Sequence, residues 1–111
     1  MVLRVRQASW MKDDHGIWIE HGKPAITPQE VRDQQDMITQ AKALYQQIKT
    51  KGTDLSVGPC LGTIGDYAID IAHNPRIAVD NDPANQCAAY RNGTVNHFIE
   101  LDVDGNIIRI V

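Results

Sequence analysis

The segment between residues 27 and 52 restricts the possible folds more than any other part of the sequence. It begins with TPQE at 27–30, in which the threonine can accept from a backbone N–H, the proline suits the first helical position and the glutamate completes a capping box. Apolar residues then recur at helical spacing, and Gly52 stands where helices commonly end. The pattern predicts a helix over 28–51, about 36 Å long, which is enough to cover one face of a sheet.

Short segments rich in β-branched or alternating residues lie on both sides of this helix and predict strands. Two of them, at 2–7 and 17–21, precede the helix and flank a polar turn. Another, at 67–72, follows the helix after a glycine-rich stretch that cannot be a regular helix. The last two, at 94–101 and 106–111, flank the turn sequence DVDG and predict a hairpin.

A second, shorter helix is predicted at about 83–91. Asp82 can cap it, Pro83 suits its first position and Gly93 can stop it. The element order is therefore ββαβαββ, and hairpins at both ends favour an α+β fold. We expect a single domain over residues 1–111, with a mainly antiparallel sheet that carries the long helix on one face.

The composition is that of an ordinary globular protein, since 42% of the 111 residues are hydrophobic and 23% are charged. A chain of this length fits one domain with one core. Its apolar runs are too short to cross a bilayer, and the N-terminal residues lack the apolar stretch of a secretory signal. These features predict a soluble cytoplasmic protein that does not associate with membranes.

The two cysteines, Cys60 and Cys87, bear on the same prediction. Proteins of the cytoplasm keep their thiols reduced, and nothing in the sequence indicates export. We therefore predict two free thiols. Cys60 as a catalytic nucleophile is disfavoured, because no capped helix follows it to lower the pKa of its thiol.

The charge distribution argues against binding to a nucleic-acid duplex. The net charge is −3, and residues 56–111 carry three arginines against seven acidic residues. A duplex-binding surface needs several clustered cations to displace counterions. Nucleic acid is therefore a disfavoured partner, except in a small cleft with local arginine and histidine.

Residues that could hold a metal lack the required spacing. The acidic groups at 80–82 and 102–106 resemble parts of calcium loops, but neither has a glutamate at the twelfth position. The cysteines and histidines at 60, 73, 87 and 97 are too far apart along the chain for a typical zinc site. The sequence predicts neither a metal site nor a cofactor.

One group of residues suggests an enzyme. His73 and Arg76 follow the predicted strand that carries Asp70, and His97 lies on a later strand. Two imidazoles can act as general acid and base, and a guanidinium can hold a phosphate. If the two strands pair antiparallel, the histidines meet at one rim, where Asp70 or Glu100 can orient an imidazole. The set would suit a metal-independent hydrolase, such as a ribonuclease.

His97 also has a purely structural interpretation. It shares one strand face with Ile99 and Leu101, which favours a core histidine hydrogen-bonded to the backbone. The structural interpretation is the stronger one, because the sequence contains no complete catalytic motif.

Trp10 and Trp18 flank the first polar turn. Both are expected in the core unless the helix has too little apolar surface to cover them, in which case an exposed indole would anchor a partner. Together with Arg76, they are the candidate binding residues.

The leading functional hypothesis is a small binding or interaction module without catalysis. The sheet has edge strands that can pair with another chain, so the expected partner is another protein or a second copy of this chain. The sequence leaves the ligand, the oligomeric state and the strand order open, and the hydrolase remains the alternative.

Overall fold

Two sheets and one long helix form the architecture. The structure, a computed structural model, describes residues 2–5, 8–22 and 26–111, with side chains from residue 10 onward in these ranges. The helices and strands in chain order are β1 (Val2–Val5), β2 (Ala8–Lys12), β3 (Trp18–His21), α1 (Gln29–Thr50), β4 (Cys60–Ile64), β5 (Tyr67–Ile71), α2 (Ala88–Arg91), β6 (His97–Leu101) and β7 (Ile107–Ile110).

The predicted α+β class is confirmed, but the sheet differs from the expected one. Strands β1, β2 and β3 form an antiparallel sheet of their own, and the other sheet has the order β4-β5-β6-β7. In the second sheet β5 and β6 run parallel, whereas the outer pairs are antiparallel. The expectation of a mainly antiparallel sheet in which the strands at 67–72 and 94–101 oppose each other is therefore wrong for this central pair.

The N-terminal strands also differ from the prediction. The strand expected at 2–7 is formed as β1 over Val2–Val5, and residues 6 and 7 lie outside the described residues. Strand β2 was not predicted. Across the described residues, neither helix is both long enough and apolar enough to span a membrane.

The long helix is confirmed with a different start. It begins at Gln29, and Pro28 is its flanking residue, so the expected cap by Thr27 is not formed. The backbone carbonyl of Pro28 accepts from the N–H of Val31 instead. At the other end Gly52 takes a left-handed conformation with φ 83°, which ends the helix as predicted.

The helix packs on one face of the second sheet. Ala41 and Tyr45 of α1 contact a layer of aliphatic side chains from the two central strands: Ile69, Ile71, Ile99 and Leu101. The hydroxyl of Tyr45 donates to the carbonyl of Val103 at 2.8 Å, and its ring lies against Gly105. Since Gly105 has φ +87° and no room for a Cβ, this turn requires a glycine.

Gln34 connects the helix to the N-terminal sheet. Its side-chain oxygen accepts from the backbone N–H of Trp18 at 2.8 Å, and its amide donates to the carbonyl of Gly16 at 2.9 Å. Trp10 and Trp18 are both buried and pack on Val31 of the helix. The hypothesis that an exposed indole anchors a partner is therefore wrong, and the prediction that both tryptophans lie in the core is confirmed.

The second predicted helix is reduced to two short pieces. Asp82 caps a single turn at Pro83–Asn85, and α2 covers only Ala88–Arg91. Between these pieces the backbone of Gln86 and Cys87 is extended, which breaks the helical hydrogen-bond pattern.

Candidate binding pocket

The face of the second sheet that points away from α1 carries two carboxyl side chains next to each other. Successive side chains of a strand point to opposite faces, so strands that send isoleucines to the core place their alternate residues on the outer face. Asp70 of β5 lies beside Glu100 of β6 in the parallel register. Arg109 of β7 is the register partner of Glu100 on the next strand.

The chain segment between β5 and β6 folds back over this outer face and forms one wall of an open pocket of about 210 Å³. Ala68 and Phe98 give it an apolar floor, beside the charged groups of the three strands. The covering segment contributes Arg76, Gln86, Cys87, Tyr90 and Arg91. The pocket therefore combines a small apolar surface with two carboxyl groups and three guanidinium groups.

Glu100 is the paired carboxylate of the pocket. Its side chain is almost completely buried, and Arg76 donates from Nη1 to its Oε2 at 2.8 Å. Arg109 approaches from the other side, with Nε 3.6 Å from Oε1, while its guanidinium lies 5.0 Å from the ring centre of Phe98. Two guanidinium groups thus lie against the same carboxylate, one on each side.

A buried carboxylate, Asp80, organises the loop that carries Arg76. Its two oxygens accept from the backbone N–H groups of His73 and Ile77 and from the imidazole Nδ1 of His73, all within 3.0 Å. Burial alone would raise the pKa of Asp80, but the hydrogen bonds from Ile77 and His73 outweigh it and hold this pKa below its ordinary value. The backbone carbonyl of Asp80 also accepts from Arg76 at 3.0 Å, so the loop fixes the arginine against Glu100.

Asp70 is the unpaired carboxyl group of the pocket. Its Oδ1 accepts from the backbone N–H of Ile71 at 3.0 Å, and no cation of the described residues lies within ion-pair distance. Burial, with a further contribution from the nearby charge of Glu100, raises the pKa of Asp70 to about 7. The group therefore changes its charge near neutral pH, as functional carboxyl groups in clefts often do.

This raised pKa predicts a pH-dependent stability difference for Asp70→Asn. The folded state keeps a proton on Asp70 that the unfolded chain releases near pH 4, so stability falls as the pH rises through the interval up to about 7. The uncharged asparagine avoids this loss. Because solvent still reaches the group, we expect the variant to gain on the order of 1–2 kcal/mol relative to the wild type between pH 5 and pH 8.

Urea unfolding of both proteins at pH 5 and pH 8 measures this difference. Asp36→Asn, at an exposed position on α1, is the matched control and should show no such gain. A difference between wild type and Asp70→Asn that is the same at both pH values would contradict the prediction.

Tyr90 and Arg91 lie on the short helix α2 at the wall of the pocket. Within the described parts of the chain, neither side chain makes a hydrogen bond or an ion pair. The ring of Tyr90 packs edge-on against Phe98, with ring centres 4.8 Å apart. Arg91 is thus a cation at the pocket wall without an anionic partner in the described structure.

A disulfide connects Cys60 of β4 to Cys87, just before α2, so the prediction of two free thiols is wrong. The two Cα atoms are 4.9 Å apart. The bond ties the covering segment to the edge strand at the point where the segment carries Tyr90 and Arg91. Cysteine pairing was missed because the two residues meet only after β4 and the long crossover have folded.

The two histidines of the predicted hydrolase are not brought together. Because β5 and β6 are parallel, His97 lies beside Tyr67 at the start of the pair and His73 lies beyond its end. Six residues along a parallel strand separate these positions by about 20 Å. His73 is engaged with Asp80, whereas Arg76 and Asp70 do line the common pocket.

His97 occupies the surface rather than the core, so the expected core position is wrong. The expected hydrogen bond to the backbone is present, with Nδ1 lying 3.2 Å from the carbonyl oxygen of Val111. Its ring stacks on that of Tyr67 with centres 5.0 Å apart, and its Nε2 lies 3.7 Å from a carboxylate oxygen of Asp66. His97 is the first residue of β6, and its side chain is about half exposed.

Sequence reasoning missed Tyr90, Arg91 and Arg109 as pocket residues, and it considered Glu100 only as a partner for an imidazole. The available signal was the alternation in β6, where Glu100 and Phe98 share the face opposite to Ile99. Nothing local pointed to the three missed residues, because they reach the pocket from α2 and β7, which are distant from Asp70 and Arg76 in the sequence.

The donor set of the pocket does not resemble a metal centre. Among the residues that the structure describes, no group of three histidine, cysteine or acidic side chains is arranged to hold a metal ion. Comparison of the chain with protein-family models, with curated protein sequences and with solved structures finds no significant match.

Proposed function

We propose that this chain is a binding module and that its site is the pocket over the outer face of β5, β6 and β7. The observation that carries the proposal is the surplus of guanidinium groups: Arg76 and Arg109 contact Glu100, while Arg91 has no partner in the described structure. Guanidinium groups bind carboxylates and phosphates through paired hydrogen bonds. The occupant therefore presents a carboxylate or a phosphate.

The size of the pocket restricts the occupant. A volume of about 210 Å³ is below the roughly 300–1,000 Å³ of sites that enclose drug-sized ligands. A small metabolite fits, and so does one acidic side chain of a protein partner. Both sources present the same anionic group to the arginines.

Titration of the ¹⁵N-labelled protein with acetate, with inorganic phosphate and with a short acidic peptide tests the proposal. We expect amide shifts concentrated at the pocket residues of β5, β6 and α2. Arg91→Ala should weaken anion binding by about tenfold, which is the loss of ~1.4 kcal/mol for one charged contact.

Arg32→Ala is the control, because Arg32 is an exposed arginine of α1 on another part of the surface. It should leave the anion affinity unchanged. Equal losses in Arg91→Ala and Arg32→Ala, or shifts spread over the whole surface, would contradict a site in the pocket.

Association with a protein or with a second copy of the chain is the second candidate. Apolar side chains are exposed on the covering segment, where Ile77 is 48% and Val79 is 37% accessible. Such side chains are typical of contact surfaces when they cluster. Sedimentation over a range of concentrations tests self-association, and a monomer at every concentration would contradict it without affecting ligand binding.

The hydrolase alternative has less support. It requires joint action by His73 and His97, and the parallel register separates them by about 20 Å. Direct acid–base work at one bond needs both imidazoles within hydrogen-bond reach of the reacting atoms.

We also propose that the chain functions in a compartment where disulfides form. The cytoplasmic expectation rested on reduced thiols, whereas Cys60 and Cys87 are bonded. Disulfides persist mainly in oxidising surroundings. Thiol titration of the denatured, unreduced protein purified from its native source should find no free thiol, and two free thiols would favour the cytoplasm.

A further inference from the structure

The pocket contains one acidic and one basic group that have no ion-pair partner in the described structure. Asp70 projects from the sheet floor, and Arg91 belongs to the covering helix. By contrast, Glu100 already has its arginines. A ligand that neutralised both unpaired groups would need one cationic and one anionic end.

We propose that the pocket binds a free α-amino acid, with its ammonium group at Asp70 and its carboxylate at Arg91 and Arg109. The inference rests on the proposed function and names the ligand class of the same site. The guanidinium of Arg109 lies 3.6 Å from Glu100 through its Nε and makes no hydrogen bond within the described structure, so its N–H groups are available to a ligand. Ala68 and Phe98 provide apolar contact for the aliphatic part of the ligand.

The ammonium end is what distinguishes this ligand from a simple anion. One carboxylate oxygen of Asp70 is occupied by the N–H of Ile71, and the other can accept from a ligand. Burial and Glu100 oppose ionisation of Asp70. An ammonium group would supply the missing positive charge, whereas a ligand with a carboxylate alone would leave Asp70 without a partner.

Several other groups influence the charge of Asp70, so they also influence how many protons are released when a ligand binds. Glu100 and Asp80 oppose its ionisation, while Arg76 favours it. The remaining charged or titratable groups around the pocket are Arg109 on β7 and Tyr90 and Arg91 on α2. Of all these groups, Asp70 is the one whose pKa is raised to about 7. Binding of an ammonium group at neutral pH should therefore release a proton from Asp70.

The test begins with thermal-shift screening of the twenty standard L-amino acids against the intact, oxidised protein. The tightest one is then compared with the carboxylic acid that lacks its amino group and with the amine that lacks its carboxyl group. We expect the amino acid to bind at least about tenfold more tightly than either analogue. A pH electrode in weakly buffered solution at pH 7 should record about half a proton released per amino acid bound.

Two variants separate the two ends of the ligand. Asp70→Asn should abolish proton release and weaken amino-acid binding about tenfold while leaving the deaminated analogue unaffected. Arg91→Ala should weaken binding of the amino acid and of the deaminated analogue to the same extent. Asp36→Asn should leave both affinities unchanged. Folding of each variant is checked by its far-ultraviolet circular dichroism and by its urea midpoint.

The outcomes distinguish this inference from the proposed function. If the deaminated acid binds as tightly as the amino acid, with no proton released, the amino-acid assignment is overturned and the anion site stands. If neither compound binds and acetate and phosphate leave the pocket amides unshifted, both proposals are overturned.

Discussion

Replacement of Cys60 and Cys87 together by serine is expected to lower the free energy of unfolding by about 3.5 kcal/mol. The bond joins residues that are 27 positions apart, and it limits the conformations of the unfolded chain. For a loop of this length the chain-entropy relation gives about 3.5 kcal/mol at 25 °C. Since small domains are stable by only about 5–15 kcal/mol, this is a large fraction of the total.

Urea unfolding of three samples measures the effect: the oxidised wild type, the wild type in dithiothreitol and the double serine variant. The reduced wild type and the variant should have similar midpoints, both well below that of the oxidised protein. If dithiothreitol leaves the midpoint unchanged and the denatured, unreduced protein contains two thiols, the bond is absent and the prediction is wrong.

The same disulfide should also hold the wall of the pocket in place. Cys87 lines the pocket and directly precedes the helix that carries Tyr90 and Arg91. Without the bond to β4, this segment is held by fewer contacts and its backbone has more conformations available. We expect weaker anion binding in the double serine variant even at temperatures where the protein remains folded.

The parts of the fold that the sequence predicts correctly depend on neighbours along the chain. Helix α1 follows from apolar spacing over many turns and from the glycine after its end, and these features act within a few residues. The hairpin of β6 and β7 follows from a turn sequence between two short apolar segments. Even here the start of α1 was predicted one residue early, because the carbonyl of Pro28 replaces the expected threonine cap.

The parallel pairing of β5 and β6 could not be predicted in the same way. The alternation of Ile69 and Ile71 with Ala68 and Asp70 is the same whichever direction the neighbouring strand takes. Parallel pairing needs a long crossover, and residues 72–96 provide it. In the sequence, the short turns of this crossover resemble a single short helix. The strands on either side of it were therefore expected to pair antiparallel, which is wrong.

The candidate site was only partly predictable, because contacts between distant parts of the chain leave no local pattern in the sequence. Asp70 and Arg76 stood out because they flank one strand end. Arg91 and Arg109 are single arginines in separate elements, and only the strand register and the path of the crossover bring them to Glu100. The disulfide depends on the same crossover, since it joins the edge strand to a residue 27 positions later.

Asp80→Ala is expected to lower the free energy of unfolding by about 3–4 kcal/mol, because it removes a buried carboxylate that accepts three hydrogen bonds. Two of the donors are backbone N–H groups in a loop that leaves them few other partners. The partly exposed imidazole of His73 can regain contact with water, so most of the expected loss comes from the two backbone N–H groups. The depressed pKa of Asp80 also means that its contribution to stability is lost only as the pH falls below about 4.

Asp82→Ala is the matched control for this change, because Asp82 is an exposed aspartate two residues later that accepts from a single backbone N–H, that of Ala84. Loss of such a cap costs about 1 kcal/mol. Urea unfolding at pH 7 should therefore separate the two variants by about 2 kcal/mol or more. Asp80→Ala should also weaken anion binding, because Asp80 fixes the loop that presents Arg76 to Glu100. Equal stability losses in the two variants would show that the loop does not depend on Asp80.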